Sequence, residues 1–130
     1  MRPTVLCVNL PADKLSRVRF ACMRLSLLVK CVEQKDLLQP LGALCGLISA
    51  QADVSAPDTP FTGEMLIMVN LNRQQAERLL TALKQAKVHI PLKAVLTPTN
   101  MHWDCIRLHA ELTAERTAIE TGAPDPHTAD

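Results

Sequence analysis

At 130 residues the chain is long enough to bury the core of one domain and too short for two full ones. Its net charge of +1 and its few aromatics (Phe20, Phe61 and Trp103, with no Tyr) argue against a dedicated nucleic-acid binder. Five cysteines, odd in number and with no C-x-x-C pair, argue against a disulfide scaffold or a zinc ribbon.

The first element expected is a strand over Thr4 to Val8, with no leader before it. An amphipathic helix follows, its apolar stripe formed by Leu15, Val18, Cys22 and Leu25. A second strand runs over Leu27 to Glu33, and a short helix lies near Leu37–Leu47. The stretch from Ser49 to Gly63, rich in Ala, Asp, Ser, Thr and Pro, reads as a surface linker. A third strand is centred on Leu66-Ile67-Met68-Val69. The helix after it carries Ala76, Leu79, Leu80 and Leu83 on one stripe. The fourth strand is expected over Leu92 to Thr97, and a long helix from about Met101 to Ile119. The tail, with two prolines and no large apolar residue, is expected to be disordered. No apolar run approaches the roughly 20 residues that span a bilayer, so no membrane role is expected. The free thiols and the missing leader point to a reduced, cytoplasmic protein.

The chain echoes itself. Val5-Leu6-Cys7-Val8-Asn9-Leu10 aligns with Leu66-Ile67-Met68-Val69-Asn70-Leu71 at an offset of 61 residues. The organisation expected is therefore one domain over 1–119: repeat one 1–47, linker 48–63 and repeat two 64–119, with the tail at 120–130. Two successive βαβ units suggest an α+β ferredoxin-like sandwich with an extra C-terminal helix. The first and third strands, apolar throughout, belong at the centre. The second and fourth, carrying Lys30 and Lys93, belong at the edges. A doubly wound three-layer α/β arrangement is the alternative.

Chemistry concentrates in Lys93-Ala94-Val95-Leu96-Thr97-Pro98-Thr99-Asn100-Met101-His102-Trp103. Pro98 holds Thr97 extended, so the strand ends there. Thr99 or Asn100 then caps the following helix. The same groups offer a candidate anion site, in which Lys93, Thr97, Thr99 and Asn100 surround the helix N-terminus. No glycine-rich loop accompanies it. On a helical wheel Met101, Cys105, Leu108, Leu112 and Ile119 face the sheet, and Trp103, Ile106 and Ala110 lie opposite. Trp103 and Ile106 are thus candidate interface residues, unless the linker or Phe61 covers them. His102, Cys105 and His109 have permissible ligand spacing, but Cys105 points inward and no fourth ligand is evident. Glu111 and Glu115 read as a solvated helix flank. No metal site, catalytic residue or cofactor is assigned.

From Phe61 through Met-Leu-Ile-Met-Val and the Leu79-Leu80 helix to Ile90–Asn100, Trp103 and Glu111-Leu112, the chain resembles a small bacterial family, domain-of-unknown-function group 3783. The resemblance covers about residues 61–119. It implies an intracellular bacterial protein and supplies no activity. Lys93, Thr97, Asn100 and Trp103 are the positions carried over as its signature, without a role.

The resulting expectation is a non-enzymatic protein acting through protein–protein interaction or self-association as a homodimer. A small anionic-ligand module using the Lys93–Asn100 turn is the alternative. Nucleic-acid binding by the basic first helix is weaker, because the strands offer no aromatic platform.

Overall fold

The computed structural model describes residues 1–120, with side chains through Arg116. The expectations for the tail at 121–130 and for the Ile119 side chain fall outside the described residues. A four-stranded mixed sheet carries the fold: β1 (Thr4–Val8), β2 (Leu28–Val32), β3 (Met65–Val69) and β4 (Leu92–Val95), in the order β2-β1-β3-β4. Helices α1 (Ala12–Arg24), α2 (Leu41–Leu44), α3 (Arg73–Gln85) and α4 (Cys105–Glu120) alternate with the strands. Every residue of β1 and β3 is buried, as strands covered on both faces must be.

The α/β class, the central first and third strands and the additional C-terminal helix match the expectations from sequence. The strand pairing adds a distinction. A split βαβ fold interleaves its two units, whereas here each unit stays intact, with β1 parallel to β2 and β3 parallel to β4. The units join through an antiparallel β1–β3 pair. The reason lies in the connection: α2 and the segment 49–63 separate β2 from β3, so no hairpin forces them together. β3 instead takes the free edge of β1.

Two cores result. On one face α1 and α3 pack Val18, Cys22, Leu79 and Leu83 over Val5, Cys7, Leu66 and Met68. On the other, Leu37, Leu41, Leu44, Cys105 and Leu108 cover Leu6, Val8, Met65 and Ile67. The sheet is thus covered on both faces, by α1 and α3 on one side and by α2 and α4 on the other. Leu80, expected on the buried stripe of its helix, is instead exposed; its neighbour Leu79 takes the core position.

The local devices recur in both units. α1 and α3 each have 13 residues, displaced by 61. Among the described residues, the four non-glycine residues with positive φ fall in pairs at the same spacing: Asn9 (56°) with Asn70 (60°), and Ser26 (58°) with Lys87 (57°). Ser26 and Lys87 end their helices identically. Leu27 N–H donates to the Cys22 carbonyl (2.8 Å) and Val88 N–H to the Leu83 carbonyl (2.9 Å), each the outer bond of a Schellman motif. Asn72 and Gln75 form a capping box at the start of α3. α1 has no side-chain cap and carries Asp13 in its first turn.

The segment between the units is pinned at both ends. Gln39 and Gln51 exchange two hydrogen bonds of 2.8 Å. Asn9 Nδ2 donates to the carbonyls of Phe61 (2.9 Å) and Gly63 (3.2 Å), and the Phe61 ring meets His109 edge-on at 5.1 Å.

Candidate functional site

The Lys93–Trp103 segment is built mainly from bonds within itself. Asn100, 8% exposed, accepts from Thr97 N–H through Oδ1 (2.8 Å) and donates through Nδ2 to the Val95 carbonyl (3.0 Å). Its own N–H donates to Thr97 Oγ1 (3.0 Å). The polar groups of Thr97 and Asn100 therefore satisfy one another and hold the end of β4. Thr99 is exposed and makes no side-chain cap. Lys93 stands apart, paired in register with Leu66 on the α1/α3 side of the sheet, and its Nζ donates to the Ile90 carbonyl (3.1 Å). The structure brings Thr97 and Asn100 together and leaves Lys93 off that turn.

Two expectations here need correction. The long helix starts at Cys105, not near Met101, because Asn100–His102 forms a separate 3₁₀ turn. Its cap is Asp104, whose Oδ1 accepts from Arg107 N–H (2.8 Å). Neither Thr99 nor Asn100 caps it. Trp103 consequently precedes the helix rather than standing on its outer face. It is half-buried against the core, its carbonyl accepts from Leu41 N–H (2.8 Å), and the Arg107 guanidinium lies 4.4 Å from its ring. With Cys105 N–H donating to the Leu37 carbonyl (3.1 Å), Trp103 joins the end of the second unit to the end of the first. Ile106 is half-buried on α4.

The edge lysine of the first unit is also used internally: Lys30 Nζ donates to the Leu44 carbonyl at the end of α2. His109 edges onto Phe61, and Cys105 is fully buried. Among the described residues no group of three His, Cys, Asp or Glu is placed to hold a metal ion. Burial, reinforced by the neighbouring Cys31 and Cys22, pushes the Cys7 thiol up to about 12, and burial pushes Cys22 up to about 11. Cys105 is likewise pushed up to about 12 by burial, with Asp104 adding to it. These three are thiols rather than thiolates at neutral pH, and so are poor nucleophiles.

The surface not consumed by such bonds lies on the opposite layer. A groove of about 1020 Å³ runs between α1 and α3. Its walls come from equivalent positions of the two units: Arg17 with Arg78, Phe20 with Thr81, Arg24 with Gln85. Ala21 and Ala82 lie between them, small enough to let the helices approach. Arg17 reaches across to the Ala86 carbonyl at the end of α3 (3.2 Å). Arg24 lies 5.9 Å from the Phe20 ring. Phe20 is 59% exposed and Met23, one turn further on, is 67% exposed.

This layer is electrically distinct. α1 and α3 hold seven Lys/Arg against two acids, Asp13 and Glu77, a net of +5; the remainder of the chain holds seven against eleven, a net of −4. Lys14 is engaged with Glu64 (2.7 Å) and Arg73 with Glu77 (3.0 Å). Among the described residues, neither Arg24 nor Arg78 has a carboxylate partner.

The basic residues of both helices are visible in the sequence, off the apolar stripes. Their convergence is not. It depends on the antiparallel β1–β3 pairing, which sets α1 beside α3 on one face. The offset of 61 that relates Arg17 to Arg78 was the available signal.

Residues 64–119 match the family model described as Domain of unknown function (DUF3783). No curated protein and no solved structure matches the chain. The match takes in β3, α3, β4 and most of α4, hence one wall of the groove.

Proposed function

We propose, for a chain whose residues 64–119 match a family of unassigned function, a small bacterial cytoplasmic module without enzymatic activity. It works by binding a protein partner, and its binding surface is the layer formed by α1 and α3. The observation that carries this reading is the combination of net +5 on these two helices with unpaired Arg24 and Arg78 and exposed Phe20 and Met23. Arginine and aromatic side chains are the residues that dominate binding energy at interfaces. A large ring left mostly in water costs hydrophobic free energy that a partner would recover.

The surface first suggested by Trp103 and Ile106 is less suitable. Trp103 has a structural task beside Leu41, and both residues are half-buried. Self-association through the α1/α3 layer would oppose two faces of the same sign, a juxtaposition that costs free energy. A different protein of complementary charge fits better. An internal duplication is part of the proposal, supported by the recurring offset of 61 in helices and positive-φ residues. The free thiols support the cytoplasmic reading.

Affinity capture with three immobilised proteins tests this: the parent, Arg24→Glu/Arg78→Glu, and Ile106→Ala. The expected result is a protein retained by the parent and by Ile106→Ala, and lost on the double variant at physiological salt. Retention on the double variant, or loss on Ile106→Ala alone with its fold intact by circular dichroism, refutes the assignment of the surface.

A further inference from the structure

The groove has a shape and chemistry that narrow the partner beyond "a protein". We infer that the partner's binding element is an acidic amphipathic helix, laid lengthwise between α1 and α3; the inference rests on the binding surface proposed above. α1 and α3 follow antiparallel strands and pack side by side on one face, so the channel between them is a helix-sized groove. Its floor is made of Ala21, Leu25, Ala82 and Ala86, small or apolar groups that accept aliphatic side chains at close approach. Its rim carries Arg17, Arg24 and Arg78 against Glu77, and that single carboxylate is already bonded to Arg73. An incoming helix with apolar residues at i, i+3, i+4 and i+7 and carboxylates on its flanks satisfies floor and rim together.

The two walls are not equal. Phe20 and Arg24 stand on the α1 wall where α3 presents Thr81 and Gln85. The aromatic anchor and one of the unpaired guanidiniums therefore belong to the α1 side. The same mixture disfavours a nucleic-acid strand. A single exposed ring offers one stacking platform rather than a series.

The test is a display selection with a library of random peptides three to four helical turns long, against the parent and against Arg24→Glu/Arg78→Glu. The expected winners are rich in Asp and Glu, with apolar residues at helical spacing, and are absent from the double-variant selection. A winning peptide, measured by fluorescence anisotropy, should lose at least tenfold in affinity on Arg24→Glu/Arg78→Glu and on Phe20→Ala, and weaken with added salt. An oligothymidylate competitor should not displace it. Winners that are basic or proline-containing, no winners at all, or displacement by the oligonucleotide overturn the helix assignment. Lysate capture that still depends on Arg24 and Arg78 would in those cases leave the broader binding surface standing. Peptides that bind the double variant as well as the parent overturn the inference and count against that surface too.

Discussion

Leu6 and Ile67 face each other across the β1–β3 pair, and they are the same position in the two βα units, 61 residues apart. Around them the register is symmetric: Val5 opposes Met68 and Cys7 opposes Leu66. An approximate twofold axis thus passes between Leu6 and Ile67. It relates α1 to α3, and with them Arg17 to Arg78 on either side of the groove. Both side chains are fully buried, so each truncation should cost a large part of the marginal stability of one domain. Leu6→Ala and Ile67→Ala are each expected to destabilise by about 2–5 kcal/mol in urea titrations. A loss well under 1 kcal/mol at either position would deny them a central place in the core.

Ser26 and Lys87 close α1 and α3 in the left-handed region, where a Cβ costs roughly 1–2 kcal/mol. Lys87→Gly keeps the Schellman bonds and removes that cost. Offset by the greater freedom of an unfolded glycine, the net gain should be about 0.5–1 kcal/mol. A β-branched residue at 87 should lower stability instead. Thermal unfolding of Lys87→Gly and Lys87→Val, compared with the parent, reads both signs.

Asn100 makes three hydrogen bonds that close the end of β4. Asn100→Ala strands the Thr97 N–H and the Val95 carbonyl, a loss of about 1–3 kcal/mol. Because the turn's polar groups serve structure, the same variant should leave partner capture by the α1/α3 layer unchanged under conditions where it remains folded.

Gly63 sits against His109. A Cβ at this position would lie 2.5 Å from His109 Nε2 and 3.0 Å from the Phe61 ring. Gly63→Ala must shift the far end of the His109 side chain and its edge contact with Phe61, at an expected cost of about 1 kcal/mol. Equal stability of Gly63→Ala and parent in a denaturant titration would mean that the Phe61–His109 contact contributes little.

Cys7, Cys22 and Cys105 have folded pKa values raised from 9.0 to about 12, 11 and 12, first of all by burial. In the unfolded chain they ionise near 9, so their contribution to stability is complete below that pH. It is lost progressively as pH rises from about 9 toward 11 to 12. Stability should therefore fall on the alkaline side. At pH 8 a small alkylating reagent should label the less buried Cys31 and Cys45 well before these three. Mass spectrometry after timed alkylation checks the order.

Much of the fold was legible because period and burial agree. The all-apolar first and third strands required cover on both faces, and the lysines at 30 and 93 marked the edges; the sheet order matches both. The neighbour order was not legible, since nothing local to β3 says which edge of β1 it will take. α4 starts later than the residue types suggest, for a physical reason. Thr99 and Asn100 are good capping residues by type, but Asn100 turns its side chain back to Thr97 and Val95, leaving Asp104 to cap. Because α4 starts beyond Trp103, that residue does not stand on its outer face. The groove could not be read from either helix alone, because each contributes only half of its walls.

The most direct test of the α1/α3 layer as the binding surface is photo-crosslinking inside the cell, with a benzophenone side chain installed at position 20 or at position 106. The expected outcome is a discrete protein adduct from position 20, diminished by Arg78→Glu, and none from position 106. An adduct from position 106 with none from position 20 would place the partner on α4 and contradict the assignment.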